Sequence, residues 1–264
     1  MLGARLAESA PAKPSRAQAA LTKAAPTKSA PGAPPPWSAR QAATLQRSLP
    51  PYFTAPADIE ETPAYRYAQL SRQACEVELK RRRVHFRRER ALGVLAPVRL
   101  QGPLNGIHFR GEGTDEQRAQ SPHEIIDCRV ILSLFDSTEI LKRHSVVEVR
   151  HFSMYRLPPP SWPRSKPATR HLGGLAIDAG RFLLADGSVL DVDRDFHGAI
   201  DAKTCGPGAA PRPATPVALS LRRLLCDLVD QRLFTVVLTP NYDPPHKNHF
   251  HFELAPGKRW LLIH

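Results

Sequence analysis

Near the end of the chain, His249, His251 and Glu253 alternate with Phe250, Phe252 and Leu254. In an extended segment alternate side chains share a face, so the pattern predicts a strand with one polar, convergent face and one apolar face fit for a core. A second strand is read over residues 175–182, where Gly173 and Gly174 let the backbone turn sharply before Asp178 enters the sheet. Further strands are expected at residues 84–88, 98–101, 106–110, 146–156, 189–192 and 235–238. Helical periodicity marks residues 63–82, 122–143 and 216–232. In the last of these Val217, Leu221, Leu224, Leu225 and Leu228 form one apolar stripe behind a Thr215 cap and Pro216. Helices before and between such strands define an α+β class, a mainly antiparallel sheet with flanking helices.

The start of the chain breaks this periodicity. Residues 1–51 are rich in Ala, Pro, Ser and Lys, contain Pro34-Pro35-Pro36 and Pro50-Pro51, and read as a disordered, partly polyproline tail or linker. One domain over residues 52–264 remains, large enough for a real core. The net charge of +12 has two local sources: residues 1–50 hold seven Lys or Arg against one Glu, and residues 80–90 hold seven against Glu89. A basic tail can hold an anionic membrane, wall polymer or nucleic acid. Val84 and Phe86 at period two make the second run an ordinary helix end and edge strand with a solvated face. The absence of a nucleic-acid-binding motif or an aromatic-interleaved basic stripe argues against nucleic acid, and no run approaches the ~20 apolar residues of a membrane span.

Cysteine placement speaks to compartment. Cys75 with Cys128, and Cys205 with Cys226, form two sequence-local pairs that suit two disulfides in an oxidising envelope compartment or periplasm, with three connectivities open. The alternative is four free thiols in a cytosolic protein. No secretory signal is visible in this numbering, because Arg5 and Glu8 break the first ten residues; a start assigned too late reconciles the two observations.

Two short segments carry the candidate chemistry. His171-Leu172-Gly173-Gly174-Leu175-Ala176-Ile177-Asp178 offers an imidazole and a carboxylate, and His246-Lys247-Asn248-His249-Phe250-His251 offers alternating imidazoles. If the two predicted strands are neighbours, these groups meet. His171, Asp178 and one of the paired histidines then make a three-ligand zinc site with a position open to water. A histidine pair also arises as solvated strand residues or as core imidazoles bonded to a carbonyl.

The whole pattern, H-x-x-G-x-A-x-D opening one strand and H-x-x-H-F-H on another, resembles the zinc peptidases of the lysostaphin, D-alanyl-D-alanine peptidase and hedgehog superfamily. Within it the chain is most similar to the bacterial extensin-like C-terminal family. The resemblance covers most of the chain after residue 60. It includes Asp127-Cys128-Arg129, Ser153-Met154-Tyr155-Arg156, Phe182-Leu183-Leu184-Ala185-Asp186-Gly187, and the run from Phe234 to Tyr242. It implies a hedgehog- and D-Ala-D-Ala-peptidase-like fold, Zn2+ held by His171, Asp178 and His251, and His249 and His246 in the catalytic shell. It also places an arginine at Arg156, suited to a substrate carboxylate or a developing oxyanion; the structural reading of Arg156 is a strand cap or a partner for an acid.

Three departures shape the expected chemistry. Relatives often carry Asp directly before His-Phe-His, and some use a glutamate base at that place, three residues before the last ligand; here it is Asn248. Thr169 and Arg170 stand where Ser and Glu are frequent, and Met154-Tyr155-Arg156 lacks the frequent cysteine. His249 is therefore the expected base. Glu253 is an alternative base, an orienting partner or a solvated strand carboxylate. The resemblance implies a zinc-dependent peptidase acting on peptidoglycan stem peptides or cross-links in the cell envelope. The alternative is a non-catalytic, zinc-stabilised module that binds wall polymer.

Overall fold

A computed structural model of the chain describes residues 37–264. In chain order these form helix α1 (Ala39–Ser48), the short strand β1 (Phe53–Thr54), helices α2 (Pro63–Ala68) and α3 (Arg72–Arg81), and strands β2 (Phe86–Arg88), β3 (Pro97–Leu100) and β4 (His108–Gly111). Helix α4 (Asp115–Gln120), strand β5 (Ile126–Asp127), helix α5 (Cys128–Arg143) and strands β6 (Val146–His151), β7 (Ala176–Leu184) and β8 (Val189–Asp191) follow. The chain closes with α6 (Val192–Asp195), α7 (Pro216–Asp230), β9 (Val236–Leu238), β10 (Phe250–Glu253) and β11 (Leu261–Ile263). An eight-stranded sheet has the order β1-β11-β9-β10-β7-β6-β4, with β8 added to β7, and a smaller sheet has the order β2-β3-β5. Among the described residues only the β9–β11 and β4–β6 pairs are parallel. The architecture is the expected α+β class.

Alternation divides the large sheet into two faces. Phe250, Phe252, Ile177, Ala179 and Val237 enter the main core together with Leu134 and Leu141 of α5 and Leu221, Leu225 and Leu228 of α7. Asp178, His251 and Glu253 take the intervening positions and look the other way. The apolar stripe of α7 is therefore core, and its start is as expected: Thr215 accepts a hydrogen bond from the Ala218 N–H and Pro216 opens the first turn.

Caps, not periodicity, set the other helix boundaries. The expected helix over 63–82 is two helices, because Ser71 accepts from the Ala74 N–H and starts a new one. The expected helix over 122–143 begins only at Cys128. Ile126 and Asp127 pair with β3, and Asp127 then caps α5 through the Arg129 N–H while accepting from the Ala96 N–H. The strand expected over 146–156 ends at His151: Phe152 N–H and the Ser153 carbonyl still bond Asp178 of β7, and beyond them the backbone turns away, Met154 N–H to His123 and Arg156 N–H to His171. The basic run at 80–90 is a helix end and an edge strand, and Arg81, Arg82, Arg87 and Arg88 are held in ion pairs, among them Arg88–Glu76 at 2.5 Å and Arg82–Glu78 at 2.9 Å.

Residues 1–36 of the expected tail lie outside the described residues. The remainder, 37–51, is corrected: Ser38 and Gln41 form a reciprocal capping box that starts α1, Ala42 is buried, and the Trp37 indole N–H donates to Pro56 at 3.1 Å. The S-x-x-Q spacing carried that signal beneath the proline-rich composition.

Both sequence-local cysteine pairs are disulfides: Cys75–Cys128 joins α3 to the start of α5, and Cys205–Cys226 joins a loop to α7. They suggest an oxidising, non-cytoplasmic location. Among the described residues no helix is long and apolar enough to cross a membrane. The separations of 53 and 21 residues set the entropy each bond removes from the unfolded chain. Replacing the pair Cys75 and Cys128 by serine is expected to cost about 4 kcal/mol, and replacing Cys205 and Cys226 about 3 kcal/mol. Urea unfolding of the two double variants checks both the size and the order.

Candidate metal centre

Strand pairing brings the two sequence segments together. β7 and β10 are antiparallel neighbours in a register that sets Asp178 directly opposite His251. His171 arrives from a 3-10 turn, Arg170–Gly173, that ends on Gly174 in the left-handed region at φ 61°. A side chain there would be strained, and its first carbon would lie 3.0 Å from the Asp127 backbone nitrogen. The turn is tied to the segment after β6 by the Arg156 N–H donating to the His171 carbonyl at 3.1 Å.

The donor atoms converge. His171 Nε2 lies 2.9 Å from Asp178 Oδ1 and 3.2 Å from His251 Nδ1, and His251 Nδ1 lies 3.0 Å from Asp178 Oδ1. Tetrahedral bonds of roughly 2.0–2.1 Å put neighbouring donors about 3.3 Å apart, close to this triangle. All three residues are buried, and together they form a group able to hold a metal ion.

Outer hydrogen bonds fix which atoms face inward. His171 Nδ1 is 3.1 Å from the Met154 carbonyl and donates to it, so Nε2 presents a lone pair. His251 Nε2 lies 3.2 Å from Glu253 Oε2 and donates outward, so Nδ1 faces the triangle. The other oxygen of Asp178 accepts from Arg156 Nη2 at 2.5 Å. Two imidazole lone pairs and a carboxylate oxygen therefore meet with no donor among them unless a cation or a proton takes the middle.

The titration directions describe the same competition. Burial pushes Asp178 toward the neutral acid, but the His171, His249 and His251 rings, which donate to it when protonated, outweigh burial and hold the carboxyl far below the usual range. Burial also pushes His171 below an ordinary imidazole, against the pull of Asp178. At His251 burial works against protonation, yet the bonds to Asp178 and Glu253 prevail and raise its affinity for a proton. A metal ion entering the triangle takes over the charge that this proton supplies.

Every other expected site residue lies on the same groove, in differing roles. His249 Nε2 is 3.3 Å from Asp178 Oδ1, while its Nδ1 is 2.8 Å from Asn248 Oδ1, so the uncharged amide at this departure position orients the ring. Glu253 sits behind His251 on the side away from Asp178, which fits an orienting partner and not a base. Arg156 is half exposed and bonds both Asp178 and, at 3.1 Å, Ser153 Oγ. His246 approaches His249 with ring centroids 5.1 Å apart, and burial pushes it below an ordinary imidazole despite the adjacent Asp243.

Sequence reasoning assigned no role to Asp243, Ser153 or Phe152. Asp243 Oδ1 lies 2.5 Å from His246 Nδ1 and caps the 3-10 turn Pro244–His246; the Asp-Pro-Pro-His spacing carried that signal. Ser153 Oγ stands between His171 and Asp178, at 3.4 Å and 3.5 Å. Phe152 meets His249 edge-on at 5.9 Å, and lies over Gly180, where a methyl group would come within 2.6 Å of its ring. Nothing in the local sequence marks that contact, since 28 positions separate the two residues. The centre opens into a groove of about 760 Å³ bordered by Arg156, Arg170, Tyr242, Lys258 and Trp260.

Substituting Asp178→Asn or His171→Ala should abolish stoichiometric metal binding, because each removes one of three donors. Glu253→Gln should keep the ligands but weaken affinity roughly 10- to 100-fold by loosening His251. Metal titration monitored by calorimetry, with metal content measured after dialysis, checks the ranking. No family model matches the chain, and no curated protein or solved structure matches it either.

Proposed function

We propose that this chain is a zinc-dependent peptidase acting on peptidoglycan stem peptides or cross-links in the cell envelope. The observation that carries this reading is the inward convergence of His171 Nε2, His251 Nδ1 and Asp178 Oδ1, each held by an outer partner, at the floor of an open groove beside two further imidazoles. Two imidazoles and one carboxylate suit zinc with a position left open. The ordered motifs resembling the extensin-like family support the substrate class, and the two disulfides suit the compartment in which such a substrate lies.

Zinc supplies, when bound, a Lewis acid that polarises the scissile carbonyl and brings the pKa of water near 7. The remaining work falls to side chains of the groove. His249, oriented by Asn248 and braced by Phe152, takes a proton from the attacking water as the oxygen–carbon bond forms. A proton returns to the amine nitrogen as the carbon–nitrogen bond breaks. His249 carries that proton after the attack, and His246, held by Asp243 beside it, is the second imidazole of the groove able to deliver one. Arg156 keeps Asp178 oriented through Nη2, and its Nη1 has no protein hydrogen-bond partner among the described residues, free for an oxyanion or a substrate carboxylate.

The test is to load the full chain, expressed under oxidising conditions, with zinc and incubate it with purified peptidoglycan and released muropeptides. Metal near one per chain with chelator-sensitive cleavage is the expected result; metal without cleavage favours the wall-binding module, and no metal overturns the reading. His249→Ala should lower turnover about 10²- to 10⁴-fold with metal retained. Loss of metal in that variant would make His249 a ligand instead.

A further inference from the structure

Strand order lays out what borders the centre on its far side from β7. Crossing the sheet from β10, β9 contributes Leu238 opposite His251 and Val236 opposite Glu253. β11 contributes Leu262 beside Val236, and β1 contributes Phe53 opposite Leu262. Paired residues share a face, so all four lie on the same face as the donors. Trp260 packs edge-on against Phe53 with ring centroids 4.9 Å apart. These residues form their own apolar cluster, separate from the main core, to which no helical residue belongs. With strands ~4.8 Å apart, this shelf extends about 5–14 Å from β10.

The groove also has polarity along the strands. At its Glu253 end stand Arg170 and Lys258, the latter on the connection from β10 to β11; at the His249 end stand Asp243 and His246. The span from His249 to Glu253 is about 13 Å of extended chain. Two cations stand at that end against the one carboxylate of Glu253. The Arg170 side chain is 76% exposed, with a single ion-pair contact, 3.9 Å to a Glu253 already engaged with His251. Lys258 is exposed and has no ion-pair partner among the described residues.

Resting on the peptidase reading, we propose that the groove selects a peptide residue with a long alkyl side chain ending in a carboxylate, the alkyl stem on the shelf and the carboxylate at Arg170 and Lys258. An alkyl chain suits the shelf because Val236, Leu238 and Leu262 offer no polar side-chain atom, and a sugar ring there would lose hydrogen bonds from its hydroxyls. A terminal carboxylate suits the cationic end because a guanidinium accepts it bidentately and an ammonium adds charge.

The test uses the full, zinc-loaded chain and three peptides, Ala-X-Ala-Ala, in which X is 2-aminopimelic acid, norleucine or lysine. These side chains share an alkyl stem of about the same length and end in carboxylate, methyl and ammonium. Binding is read by calorimetry and cleavage by chromatography. The carboxylate peptide should bind roughly tenfold tighter than the lysine peptide, the size of one charge-assisted hydrogen bond. Lys258→Glu should reverse that order, and Trp260→Ala should weaken all three peptides together, both variants keeping their metal and far-ultraviolet circular dichroism. Equal affinity for the three peptides, or an order that Lys258→Glu leaves unchanged, overturns the proposal. Selective binding with no cleavage supports the shelf and overturns the peptidase reading; cleavage without preference does the reverse.

Discussion

The candidate site depends on one electrostatic constraint: a buried carboxylate, Asp178, faces two imidazole nitrogens whose own N–H groups are committed elsewhere. Three acceptors within 3.2 Å of one another repel unless positive charge sits among them. The surrounding structure does not relieve this. Met154 and Glu253 hold the rings with their lone pairs inward, and Arg156 anchors the distal carboxylate oxygen while leaving the near one free. Such an arrangement costs stability without a cation, so a metal ion held by this group would couple its binding to folding.

Holding that constraint requires a rigid floor, and the sheet supplies one. Phe250 and Phe252, on either side of His251, are buried in the core formed with α5 and α7. The Cys75–Cys128 bond fixes the start of α5, where Asp127 also packs against the turn that carries His171: its backbone N–H donates to the Gly174 carbonyl at 2.9 Å. The small β2-β3-β5 sheet thereby reaches the centre without contributing a ligand. A shift of the β7–β10 register by one residue would turn either Asp178 or His251 into the core and dismantle the site.

The two faces of the sheet separate the core from the candidate site. One face is closed by helices. The other carries the donors over β7 and β10 and an apolar shelf over β9, β11 and β1, with Arg170 and Lys258 toward one end of the groove and Asp243 and His246 toward the other. Because strands are spaced regularly, the donors and the shelf stand at fixed distances from each other across this face.

Much of this was legible in the order of residues. Alternation in 249–254 fixed which side chains share a face, Gly174 marked a turn that only glycine takes easily, and the cysteine pairing followed sequence proximity, because these features depend on local geometry and chain entropy. Composition hid the α1 capping box, and periodicity ran through the breaks at Ser71 and Asp127, where a side chain competing for backbone N–H groups overrides the apolar pattern. Only the tertiary structure decided that Glu253 orients a ring, that Asp243 belongs to His246, that Phe152 braces His249 across Gly180, and that Trp260 and Phe53 border the groove. Those roles depend on which atom of a ring faces which neighbour and on strands distant in sequence becoming adjacent, and residue spacing along a chain carries neither.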